Sequence, residues 1–282
     1  MATDFDLIVV GGGPGGYVAA IRAAQLGFKT ALVERDDLGG VCLNWGCIPT
    51  KALLHGAELA HSLKHAANLG FTFDNLQFDI AKLVGHSRSV AKRLSQGIEF
   101  LMKKNAITVI RGEARLVDKC QLAVKTADGD KAFSASHIIL ATGARARNLP
   151  GIAIDGDRIW GAREAMTPKA QPKKLLIIGA GAIGVEFASF YNDLGSEVVL
   201  VEALDRILPV EDREISTIAQ KALAGRGIQI HTKTTVSAIR YDGDGVVATL
   251  NSAGNSEEVS ADRAILAVGI TGNIDNLGLE AL

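Results

Sequence analysis

Leu7-Ile8-Val9-Val10-Gly11-Gly12-Gly13-Pro14-Gly15-Gly16 decides the fold. Its first four residues form an apolar, largely β-branched run that suits a buried parallel strand. Gly11, Gly13 and Gly16 then satisfy G-x-G-x-x-G. The first glycine permits a tight turn, the second lets backbone approach a pyrophosphate, and the third allows close helix–strand packing. The Ala-rich segment Tyr17 to Leu26 is the expected helix, its N–H groups and positive dipole end facing the phosphates. Gly27 stops it, and Lys29 to Glu34 reads as the next strand. Glu34 lies 23 positions after Gly11, where an acid can accept hydrogen bonds from an adenosine ribose.

The same pattern returns downstream. Leu175 to Ile178 is a strand, Gly179-Ala180-Gly181-Ala182-Ile183-Gly184 is a second glycine turn, and Val185 to Leu194 is a helix closed by Gly195. A strand from Val198 then ends at Glu202, again 23 positions after the first glycine. Residues 106 to 140 read as an antiparallel meander, with turn signals at Val117-Asp118-Lys119 and Ala127 to Asp130. Tyr241 to Gly245 and Ala253 to Asn255 mark its counterpart in the second unit. Each unit then reaches a matching strand and small-residue turn, Ile139-Leu140-Ala141-Thr142-Gly143 and Ile265-Leu266-Ala267-Val268-Gly269.

The expected class is therefore α/β, with two Rossmann-like dinucleotide-binding domains, each carrying an antiparallel β-meander insertion. Residues 1–149 form the first domain, 150–272 the second, and 273–282 begin a return into the first. Leu149-Pro150-Gly151 marks the boundary, and residues 164 to 174 read as a connecting loop. Residues 51 to 104 read as mostly helical, interrupted near Gly70 to Asp79.

Composition narrows the function classes. The 282 residues are 48% hydrophobic and 22% charged, which fits a large core and argues against disorder. A net charge of −1 gives no electrostatic case for nucleic acid or an anionic membrane surface. Met1 to Asp6 is short and acidic, unlike a secretory signal, and no apolar run approaches the roughly 20 residues that span a bilayer. Three cysteines do not make a disulfide scaffold, and the expectation is an intracellular protein.

Two of those cysteines, Cys42 and Cys47, enclose four residues, with Lys51 one helical turn further on. The i, i+5 spacing is awkward on a regular helix, so Asn44-Trp45-Gly46 is expected to distort it and let the sulfurs meet. A partly exposed disulfide of that kind exchanges readily. A cation at Lys51 would stabilise a Cys47 thiolate, and Glu186 is a candidate partner for the lysine. Inert thiols and zinc binding are the other readings of the pair, but zinc wants further ligands and only Cys120, in the meander as a buried or edge residue, remains. His55, His61 and His65 lack the acid of an H-E-x-x-H motif and read as surface or core histidines rather than a metal site. Glu34 and Glu202 would both repel a 2′-phosphate; the second favours NAD over NADP, and Arg206 nearby works the other way.

Gly39-Gly40-Val41-Cys42-Leu43-Asn44-Trp45-Gly46-Cys47-Ile48-Pro49-Thr50-Lys51, set between two nucleotide turns, strongly resembles the pyridine nucleotide–disulfide oxidoreductases, and most of all the dihydrolipoamide dehydrogenase branch. The resemblance covers the whole chain. It implies FAD in the first domain, with Gly11, Gly13, Gly16, Glu34, Arg35, Gly40 and Lys51 around it and Ala114, Thr142 and Gly143 contributing backbone. It implies NAD in the second, at Gly179, Gly181, Ile183, Gly184, Glu202, Val236, Ala267 and Gly269. Cys42 would exchange with a dithiol, Cys47 would face the flavin as a thiolate, and hydride would pass from flavin to nicotinamide.

Members continue into a Gly-Asp flavin motif and a dimer-interface domain with a His–Glu acid–base pair. The chain's end at Leu282 is thus expected to be a C-terminal truncation with little dithiol turnover of its own. The implied parent is a homodimer serving the lipoyl domain of a 2-oxo acid dehydrogenase complex, in bacterial cytoplasm or mitochondrial matrix. A glutathione- or mercuric-reductase-like enzyme and a non-catalytic NAD(H)-binding redox sensor are the competing readings.

Overall fold

The computed structural model describes residues 3–75 and 77–282; Met1 and Ala2 of the N-terminal reading and Leu76 of the expected helix break lie outside the described residues. The chain divides into two compact units.

The first unit comprises residues up to Pro49, Arg88–Arg145 and Thr271–Leu282. Its elements are β1 (Phe5–Val10), α1 (Pro14–Gln25), β2 (Thr30–Glu34), α2 (Gly40–Trp45), the start of α3 (Cys47–Lys64), most of α4 (Ile80–Lys104), β3 (Thr108–Arg111), β4 (Glu113–Asp118), β5 (Gln121–Thr126) and β6 (Gly129–Leu140). They build a six-stranded sheet in the order β3-β2-β1-β6-β5-β4. Successive residues of β1 face opposite sides of the sheet. Ile8 and Val10 join Val33 and Val124 in one core, while Leu7 and Val9 join Ala20, Leu32 and Leu38 in another. Because both faces are covered, the strand is apolar without alternating, as parallel strands are.

The second unit comprises Thr50–Ser87 and Ala146–Ile270. After β7 (Ala144–Ala146) come β8 (Ile159–Trp160), α5 (Ala162–Met166), β9 (Lys174–Ile178), α6 (Ala182–Leu194), β10 (Glu197–Val201), α7 (Arg213–Gly225), β11 (Gln229–His231), β12 (Thr235–Asp242), β13 (Gly245–Ser252), β14 (Asn255–Ala261), β15 (Arg263–Leu266) and β16 (Ile270–Gly272). A five-stranded sheet runs β11-β10-β9-β15-β8, all pairs parallel. The meander β12-β13-β14 forms its own antiparallel sheet, and β7 pairs with β16 separately. Phe187, Phe190 and Tyr191 of α6 pack with Leu175, Ile177 and Leu200 on one face of the large sheet. Val246, Ala248 and Leu250 of the meander pack with Leu176, Ile178 and Val199 on the other.

Several sequence expectations need correction. Residues 50–87 group with the second unit, not with residues 1–149. The cause is packing: Leu53 and Ala57 of α3 are buried among Phe187, Tyr191 and Leu194, and Leu83 of α4 packs against the same cluster. The unit boundaries fall at 145/146 and 270/271 rather than 149/150 and 272/273. Residues 106–140 are not all meander, since β3 runs parallel to β2 and the end of β6 runs parallel to β1. The loop expected over 164–174 begins inside α5. Both nucleotide helices start three residues early, at Pro14 and Ala182; proline suits a first helical turn because it has no N–H to leave unbonded. Cys120 is exposed at the β4–β5 turn, not buried.

Candidate functional site

The two glycine turns are built alike. A Cβ on Gly11, whose φ is +105°, would lie 2.2 Å from the Ala141 carbonyl oxygen; one on Gly16 would lie 1.8 Å from that of Gly11. The corresponding distances are 2.4 Å from Gly179 to the Ala267 oxygen and 1.9 Å from Gly184 to the Gly179 oxygen. The outer glycines are therefore fixed by packing. The middle glycine is not: a Cβ on Gly13 would meet only the Gly40 Cα at 3.8 Å, and one on Gly181 nothing within 4 Å. Each middle glycine is the N-cap of its helix and supplies no side-chain cap. A bare approach to uncapped helix N–H groups fits a dinucleotide pyrophosphate in both units.

The strand-end acids do more than the sequence suggests. Glu34 Oε2 accepts the Gly12 N–H at 2.6 Å and its Oε1 accepts the Asp36 N–H at 2.7 Å. Glu202 repeats this with the Ala180 N–H at 2.8 Å and the Leu204 N–H at 2.9 Å. Both acids are buried. Each oxygen still has a lone pair to offer a ribose hydroxyl. Arg206 donates to Asp205 and, at 2.8 Å, to the Pro209 carbonyl. Hydrogen bonding from Arg213, with the charge of Arg206 adding to it, holds Asp205 below the usual carboxylate range.

In the first unit a cleft gathers five residues named from sequence: Gly11, Glu34, Arg35, Ala114 and Thr142. Arg35 is ion-paired with Asp36 and Glu113. Sequence reasoning missed Asn273, which lines the same cleft. Its side chain donates to the Thr142 carbonyl at 2.9 Å, and the Thr142 hydroxyl donates to the Asn273 carbonyl at 2.7 Å. The Asn273 N–H also bonds the Gly143 carbonyl at 3.0 Å. No local signal could have revealed a partner 131 residues away.

The cysteine segment is seated on the first turn. A Cβ on Gly40 would come within 2.6 Å of the Gly13 Cα, and the Gly39 N–H donates to the Gly12 carbonyl at 2.8 Å. The expected break is present, with both cysteines as free thiols: α2 ends at Trp45, Gly46 leaves helical geometry, and α3 begins at Cys47. A Cβ on Gly46 would sit 3.0 Å from the Val41 carbonyl and 3.4 Å from the Cys42 Cα, so the chain doubles back on the first cysteine. Cys42 is half-buried, and Cys47 is exposed at the first residue of α3.

In the second unit Lys51 Nζ donates to Glu186 Oε1, joining α3 to α6 as expected. Ile183 is 39% exposed beside the second turn, while Val236 packs against the core beneath the meander. The Gly269 carbonyl accepts the Arg147 N–H at 3.0 Å, and Arg147 reaches the Val268 carbonyl at 2.7 Å. Two of the histidines bond elsewhere. His61 lies 3.2 Å from the buried Asp193 carboxylate, and His65 bonds back to the His61 carbonyl.

Known proteins share these features. The chain is 51% identical to a dihydrolipoyl dehydrogenase of Zymomonas mobilis, over 100% of this chain and 61% of that protein. Among solved structures, LpdA of Mycobacterium tuberculosis superposes with a TM-score of 0.89 at 29% identity, over 98% of this chain and 61% of that one. The flavoprotein disulfide reductase RclA of Escherichia coli, solved as a Cu(II) complex, gives 0.83 at 26% identity, over 99% and 59%. The chain thus spans about three fifths of the length of the relatives it matches. The pyridine nucleotide-disulphide oxidoreductase model matches residues 5–282, and with two glycine turns, two strand-end acids and a paired-cysteine segment in register, this chain belongs to that family.

Proposed function

We propose that the chain is the nucleotide-binding and disulfide-bearing part of a dihydrolipoamide dehydrogenase. In this reading the first unit holds FAD through Gly11, Gly13, Gly16, Glu34, Arg35, Gly40, Ala114, Thr142 and Gly143. The second holds NAD through Gly179, Gly181, Ile183, Gly184, Glu202, Val236, Ala267 and Gly269. The observation that supports the reading is that Gly40, two residues before Cys42, is seated on the Gly13 turn.

A dihydrolipoamide thiolate attacks the Cys42–Cys47 disulfide. Its second thiol completes the exchange, releasing the cyclic disulfide and leaving two protein thiols. The Cys42–Cys47 bond re-forms as the two thiols give up an electron pair, which bound flavin would pass as hydride to the nicotinamide, and the remaining proton goes to solvent. Cys42 would be the exchanging thiol, Cys47 the thiolate held for a bound flavin, and Lys51, one turn along α3, the cation beside it. Glu186 holds Lys51 in place. NAD is preferred to NADP because Glu202 is a buried acid at the ribose position and Arg206 is taken up by Asp205 and Pro209. The physiological dithiol is the lipoyl domain of a 2-oxo acid dehydrogenase complex, the whole protein a homodimer of bacterial cytoplasm or mitochondrial matrix.

The test is dihydrolipoamide-dependent NAD+ reduction by the complete protein. Cys42→Ser and Cys47→Ser should each abolish it while NADH binding survives. Turnover retained by either variant would contradict the assignment, and a preference for glutathione or mercuric ion would move the protein to another branch.

A further inference from the structure

Leu43, Asn44, Trp45 and Gly46 separate the two cysteines, and two of them are gripped by α4. The Arg88 guanidinium lies 3.9 Å from the centre of the Trp45 ring. The same guanidinium donates through Nη1 to the Asn44 carbonyl, one of the terminal carbonyls of α2. A cation suits that end of a helix. From the other side, the buried Asn44 side chain donates to the Leu38 and Gly40 carbonyls at 3.0 Å each. Ser95, also on α4, donates to the same Leu38 carbonyl.

We propose that Arg88 and Trp45 are positioning residues for the Cys42–Cys47 pair. Their stack fixes the loop between the cysteines and so sets how readily that pair closes. The inference rests on the redox reading above. The geometric argument is that a disulfide needs its Cβ atoms about 3.5–4.5 Å apart, so a loop held in one shape raises the effective concentration of one thiol at the other. Arginine suits both tasks because its planar guanidinium can stack flat on an indole while an edge N–H donates. Lysine cannot do both.

The test equilibrates the 282-residue chain with glutathione buffers and reads the closed fraction by mass after thiol alkylation. In the measured exchange the glutathione S–S bond breaks as the Cys42–Cys47 bond forms. The electron pair leaves the cysteines, and two glutathione thiols take up the protons. Arg88→Met and Trp45→Leu should each make the pair easier to reduce, by roughly three- to tenfold in the equilibrium constant. The double variant should add little to either one, because both remove a single contact. Trp45→Phe should restore most of the wild-type constant, whereas Arg88→Lys should not. Circular dichroism verifies that each variant is folded, and Arg88→Met keeps a good helix former on α4. A working couple unmoved by Arg88→Met and Trp45→Leu would overturn the inference alone. A wild-type chain that never forms the Cys42–Cys47 disulfide would overturn the redox reading and the inference together.

Discussion

Glu34 and Glu202, proposed as ribose ligands, each hold a glycine turn closed. Each carboxylate accepts one N–H from within its turn and one from two residues beyond itself. Removing the acid strands two donors, and an unsatisfied buried N–H costs about 1–3 kcal/mol. Glu202→Ala should therefore weaken NADH binding and also lower unfolding stability by that order, read by fluorescence titration and by denaturant unfolding. Glu202→Gln keeps one acceptor oxygen but turns an NH2 donor towards the other N–H, so it should recover only part of the stability and less of the binding. Equal stability of the alanine variant and wild type would show that the two hydrogen bonds contribute nothing. From sequence alone the 23-residue spacing marks the acid as the end of the second strand and a candidate ribose ligand. Its second role was not legible, because spacing along a strand does not say which backbone donors turn towards it.

At the scale of elements, sequence reads what is local and misses what is reached across space. Leu7 to Gly16 and Leu175 to Gly184 specify strand, turn and helix within ten residues, and the structure forms both. The break between α2 and α3 was also legible, since two cysteines five apart need it. By contrast, nothing within α3 says that Leu53 and Ala57 will pack on α6. An apolar helix face announces burial but not its partner, so the grouping of residues 50–87 with the second unit was not legible. The loop before β8 is a similar long-range device. Asp155 Oδ1 accepts the N–H groups of Asp157, Arg158 and Ile159, and Oδ2 accepts the Tyr241 hydroxyl at 2.8 Å, which ties the loop to β12. Burial pushes this carboxyl up, but the hydrogen bonds from Ile159, Asp157, Tyr241 and Arg158 outweigh it, and its pKa lies below the ordinary value. A depressed folded-state pKa adds stability above the unfolded value, about 3.9, and loses it as pH falls through the folded one. Asp155→Asn should therefore lower Tm most near neutral pH, with the gap to wild type closing below about pH 4. A gap independent of pH would rule out the carboxylate as its source.

Across the whole molecule, one pattern is used twice and modified once. Both units run strand, glycine turn, helix, strand and acid, and in both the turn is closed by the carbonyl of a later strand, Ala141 or Ala267. Only the first places a cysteine segment on its turn, through Gly39 and Gly40. On the proposed function, that asymmetry would separate a unit that exchanges electrons with thiols from one that binds the final acceptor. The most direct measurement of this claim is the visible absorption spectrum of the purified protein, before and after dithiothreitol, in wild type and Cys47→Ser. The account predicts a flavin band, with a new long-wavelength shoulder on reduction that the serine variant lacks. A colourless protein, or a flavin band indifferent to the state of Cys47, would contradict it.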